Sequence, residues 1–125
     1  MLGEFRRGQI VDLPVVFVSN VTGALIDPVN PTVEISHYEG TTEIIDLAET
    51  PLVKIATRPV GFFTYEFTIP STFILDETYY VRWRGKDPNS ACTDPDVVEN
   101  HFKVVNGSST SISNCCCLTP RFNRC

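Results

Sequence analysis

Apolar and polar positions alternate along most of the chain in short runs separated by turn residues. Between Gln9 and Val18, Val11, Leu13, Val15 and Phe17 share one side, while Ile10, Asp12, Pro14, Val16 and Val18 share the other. A period of two is the signature of a strand with one buried face. Pro14 has no N–H to donate, which predicts an edge strand or a broken ladder here. Thr32 to Tyr38 alternates cleanly, with Val33, Ile35 and His37 opposing Glu34, Ser36 and Tyr38. Glu43 to Leu47 and Leu52 to Thr57 predict two further short strands.

The clearest strand runs from Phe62 to Ile69, with Phe63, Tyr65, Phe67 and Ile69 on one face. Pro70 to Glu77 reads as a loop with room for one helical turn. Thr78 to Arg84 follows, with Tyr79, Val81 and Trp83 inward and Tyr80, Arg82 and Arg84 outward. Gly85 to Asp96 holds Pro88 and Pro95 and predicts a long surface loop. Val97 to Val105 is the last strand, with Val98, Phe102 and Val104 inward. The sum is about seven strands, and no ten-residue stretch has helical periodicity. Short strands at regular spacing with turn signals between them predict a sandwich or barrel. The expected core comprises Phe63, Tyr65, Phe67, Tyr79, Val81 and Trp83.

Composition changes after Val105. Asn106 to Ser111 is a polar linker, and Ile112 to Cys125 is too short to bury a core of its own. The chain is therefore read as a sandwich over 1–105 followed by a linker and cysteine-rich segment over 106–125. Its 125 residues suffice for one domain. The net charge of −5 argues against a nucleic-acid partner, which calls for a basic face. No run approaches the roughly 20 apolar residues needed to span a bilayer, and no signal peptide is visible, so neither a membrane partner nor secretion is expected.

Four of the five cysteines, Cys115, Cys116, Cys117 and Cys125, stand in the last eleven residues; Cys92 is alone. Such clustering is unlike the disulfide framework of a secreted domain. Thiolates are soft ligands, yet adjacent cysteines diverge and no Cys-x-x-Cys pair is present, so the spacing is poor for zinc or an iron–sulfur cluster. Three readings stay open: disulfides or assembly contacts, a shared metal or cluster, and an unpaired segment. His37 and His101 sit in expected strands, where a histidine is ordinarily hydrogen-bonded or at the surface. Asp76-Glu77 and Asp94-Pro95-Asp96 lie in polar loops, the usual place for solvated turn residues, and show neither calcium-loop spacing nor the facing carboxyls of a glycosidase. No catalytic residue and no cofactor are expected. Phe62 and Tyr80, if exposed, would mark a partner patch.

The opening Phe5-Arg6-Arg7-Gly8-Gln9-Ile10-Val11, the turn at Gly23, the Pro-flanked strand Pro31 to Ile35, the run Gly61 to Pro70 and Thr78-Tyr79-Tyr80-Val81-Arg82-Trp83 together resemble a family pattern. It is that of the immunoglobulin-like and macroglobulin-like β-sandwich modules of tailed-phage virion proteins and large adhesins. The resemblance covers about residues 5 to 105. It implies a single antiparallel immunoglobulin-like β-sandwich that contributes rigid surface to an assembly. The implied setting is a virion neck, tail, baseplate or capsid decoration. Other virion proteins and further copies of the chain in a ring are the expected partners. A carbohydrate- or host-surface-binding module is the alternative, and a metal-binding tail protein the third reading.

Overall fold

A computed structural model describes residues 1–92 and 94–106; the four clustered cysteines lie outside the described residues. Seven strands are present among them: β1 (Gly3–Arg6), β2 (Ile10–Val16), β3 (Val29–Glu39), β4 (Thr42–Pro51), β5 (Phe62–Thr68), β6 (Thr78–Lys86) and β7 (Asp96–Val105). They form a five-stranded sheet in the order β1-β7-β6-β3-β4 and a two-stranded sheet of β2 and β5. All pairings are antiparallel except β1 with β7, which is parallel. The fold is an all-β sandwich.

Alternation explains the packing. Val11, Leu13, Val15 and Phe17 point from the small sheet into the core, as do Phe63 and Ile69. Val33, Ile35, Val81, Trp83, Val98, Phe102 and Val104 meet them from the large sheet, most with no exposed surface. Trp83 is fully buried, so truncation to alanine costs roughly 3–5 kcal/mol. Tyr65 and Phe67 are half-buried against this core rather than inside it. Phe73, Tyr79 and Phe102 stack in a row, with centroid separations of 4.1 and 5.7 Å.

Several elements differ from the sequence expectation, each for a local reason. The first strand, β1, is short and carries charges, and it forms because Phe5 packs on Phe102 at 5.2 Å beside β7. The strand expected from Thr32 begins earlier, at Val29, and so takes in Pro31. The missing donor of Pro31 is absorbed by a register shift between Val29 and Thr32. The expected pair Glu43–Leu47 and Leu52–Thr57 is instead one strand, β4, reaching Pro51. As an edge strand β4 tolerates polar residues: Thr32 Oγ1 donates to Glu49 Oε2 at 2.7 Å and Thr50 Oγ1 to the Ala48 carbonyl. Leu52 then turns into the core, and Val53 and Ile55 are left exposed outside any strand. Pro70 to Glu77 forms turns without a helix. Gly85 and Lys86 belong to β6.

Connections β2–β3, β4–β5 and β6–β7 meet at one end of the sandwich. There Gly61, at φ +88°, lets its N–H reach Asp27 Oδ1 at 2.7 Å. A Cβ at position 61 would sit 2.9 Å from the Phe17 carbonyl oxygen. At the same end Ser19 Oγ donates to Asp87 Oδ2 at 2.7 Å, a buried pair that ties the first of these loops to the last. The opposite end holds the β1–β2 and β5–β6 connections, joined by Arg7 Nε donating to the Phe73 carbonyl at 2.7 Å. Val105 leaves the large sheet at this second end, beside Asp76 and Glu77.

Candidate interaction faces

The outward face of the large sheet is built by the polar phase of β3, β6 and β7. Register places Glu34 opposite Arg82 and Ser36 opposite Tyr80. It also places Arg82 opposite Glu99 and Tyr80 opposite His101. Arg82 is gripped from three strands, with Nε 2.6 Å from Glu99 Oε2 and Nη1 2.6 Å from Glu43 Oε2 and 3.3 Å from Glu34 Oε1. The Glu99 hydrogen bond, opposed by burial and helped by Glu43, pushes the guanidinium pKa up. Arg84 shares Glu34 at 3.1 Å and lies 3.9 Å from Glu49. Ser36 Oγ donates to Glu43 Oε2 at 2.7 Å, and this bond, joined by Arg82, holds the Glu43 carboxyl below its ordinary range.

Beside this charge lattice the rings of Tyr38, Tyr80 and His101 form a row, with centroids 5.7 and 5.9 Å apart. Tyr38 is exposed, whereas Tyr80 and His101 are half-buried. Farther along, Thr32, Glu49, Arg84, Lys86, Val29 and Pro95 line a shallow concavity of about 400 Å³. Lys86 Nζ is engaged there by the Cys92 carbonyl at 2.8 Å.

The outward face of the small sheet is different in kind. Its cross-strand pairs are Ile10 with Thr68, Asp12 with Glu66, Pro14 with Thr64, and Val16 with Phe62. Like charges directly opposite each other destabilise a sheet, and among the described residues neither carboxylate has an ion pair or hydrogen bond. Both strands of this sheet are edges, which agrees with the position of Pro14. Asp12, Pro14, Arg58, Phe62, Phe63 and Thr64 line a concavity of about 190 Å³. The buried Thr64 Oγ1 has no hydrogen-bond partner among the described residues. Phe62 is half-buried and Ile10 is 63% exposed.

Other residues singled out from sequence are dispersed. His37 lies at the margin of the core with Nδ1 2.7 Å from Asp46 Oδ2 and Nε2 3.2 Å from Glu39 Oε2. Among the described residues, Cys92 is exposed and has no disulfide partner, and no three His, Cys, Asp or Glu side chains come together as a metal site. Asp76 and Asp94 are exposed loop residues. Sequence reading missed the Tyr79 hydroxyl, which accepts from the Ile74 N–H at 2.9 Å. A tyrosine near the start of β6 is thereby bonded back to the connection that precedes it. The signal was present as a tyrosine opening β6, but alternation alone reads it as core.

No protein-family model, no curated protein and no solved structure matches the chain.

Proposed function

We propose that the chain is a structural component that works through its surfaces, as part of a tailed-phage virion, in the neck, tail, baseplate or capsid decoration. The observation that carries the reading is the outward face of the large sheet. Arg82 fastened across β3, β4, β6 and β7 makes a face that is stiff before any partner arrives, so little side-chain freedom is lost on docking. The adjoining Tyr38–Tyr80–His101 row supplies aromatic contact area of the kind enriched at protein interfaces. Other virion proteins and further copies of the chain are the partners, and the action is assembly rather than chemistry. The virion setting rests on the sequence resemblance, which spans the whole sandwich.

The reading of the setting is tested by the reading frames flanking its gene. Neighbours encoding head-to-tail or tail components are expected. Placement among metabolic genes in several genomes would overturn it.

A further inference from the structure

We propose that the outward face of the small sheet receives residues 112–125 of a second copy of this chain, with Arg121 and Arg124 neutralising Asp12 and Glu66. The inference rests on the assembly reading and gives it a site. Three observations lead to it.

The first is the uncompensated charge. Asp12 and Glu66 face each other across β2 and β5, both exposed, and no cation lies within ion-pair distance among the described residues. Arg58 lines the same concavity as Asp12 yet makes no ion pair with it. The large sheet shows the contrast, because its outward carboxylates at Glu34, Glu43 and Glu99 all bond to Arg82. A carboxylate pair left without a counter-ion on one face asks for a cation from outside.

The second is the distribution of charge along the chain. Residues 107–125 contain two arginines and no acid, so all 15 acidic side chains lie in residues 1–106. This segment is the complement that the acidic face lacks. Arg121-Phe122-Asn123-Arg124 also places an aromatic ring between its two cations. On the face, half-buried Pro14, Val16 and Phe62 lie to one side of the Asp12–Glu66 pair and offer apolar surface to that ring.

The third is reach. Val105 leaves β7 at the end of the sandwich where β2 begins and β5 finishes. Nineteen further residues follow Asn106, and at roughly 3.3 Å each they extend up to about 60 Å. That exceeds the roughly 10 Å between packed sheets several-fold. The segment can therefore cross to a neighbouring molecule.

The test is a charge swap in the full chain, kept in reductant so that thiols do not link copies. One variant carries Asp12→Lys with Glu66→Lys, and the other Arg121→Glu with Arg124→Glu. Sedimentation velocity over a concentration series reads the association, and thermal melts confirm that each variant is folded. Asp12 and Glu66 are exposed, so a melting temperature near that of the parent is expected for the first variant. The parent should self-associate and each variant alone should do so at least 10-fold more weakly. An equimolar mixture of the two variants, and the single chain carrying all four changes, should regain the association. Unchanged association in both variants would overturn this docking site and leave the assembly reading standing. Weakened variants whose mixture fails to associate would overturn docking between copies. A monomeric parent at every concentration would remove the assembly reading itself.

Discussion

The hydroxyl of Tyr79 lies 2.9 Å from the backbone nitrogen of Ile74, while its ring stacks on Phe73 at 4.1 Å. One side chain thus satisfies a part-buried donor in the β5–β6 connection and closes the core beneath it. Burial, opposed by the Ile74 bond, raises the phenol pKa, so it stays neutral through the physiological range. Removing the hydroxyl leaves the ring in place and the N–H without its acceptor. Tyr79→Phe should lower unfolding free energy by about 1 kcal/mol, with the fold retained. Urea unfolding with an unchanged m-value checks it.

His37 gives the fold a pH dependence on the alkaline side. Both ring nitrogens face carboxylate oxygens, and only the imidazolium can donate to both. Burial opposes that charge, but hydrogen bonds and attraction from Asp46 and Glu39 outweigh it and raise the pKa above the ordinary value of 6.5. The Tyr79 ring, at 5.1 Å, is the other titratable group against it and is neutral here. The resulting stability is complete below the unfolded pKa and is lost as pH rises through the folded one. Melting temperature should therefore fall from about pH 6.5 upward, and His37→Gln should flatten that limb.

His101 acts in the opposite window. Burial, with the N-terminal ammonium adding, lowers its pKa. A depressed folded value means stability present above the unfolded pKa and lost as pH falls through the folded one. His101→Gln should flatten the acid limb between about pH 6.5 and lower values, with little change at pH 8. Melts of the two histidine variants over pH 5 to 9 would separate the limbs; identical profiles would contradict both assignments.

Gly61 is a position that no other residue fits. Its φ of +88° strains any side chain, and a Cβ would press on the Phe17 carbonyl oxygen at 2.9 Å, a backbone atom that cannot swing aside. Its N–H also holds the Asp27 carboxylate below its usual pKa, helped by Lys54. Gly61→Ala should destabilise by at least about 1–3 kcal/mol. Gly23→Ala, with a similar φ of +78° and open space around it, should cost less. Equal melting temperatures for the two would refute the steric account.

The strand faces were legible because burial on one side of a sheet imposes a period of two. Leu13, Phe63, Val81, Trp83 and Phe102 were all placed inward by that rule, and all are buried. What alternation cannot report is register. Asp46 meets His37 only because β3 and β4 pair as a hairpin with two irregularities, and nine residues of sequence give no hint of it. The bare Asp12–Glu66 pair was hidden for the same reason, since the partners are 54 positions apart and become neighbours through β2–β5 pairing. Leu52 to Thr57 misled in the other direction: its alternation comes from Leu52 anchoring a loop in the core, with Val53 left 76% exposed.

The central claim is that this sandwich functions as a component of an assembly. Sedimentation velocity of the intact chain in reductant, from low to high micromolar concentration, tests it most directly. A concentration-dependent shift from monomer to a discrete larger species is the predicted result. A single monomeric boundary across the whole range would contradict the account.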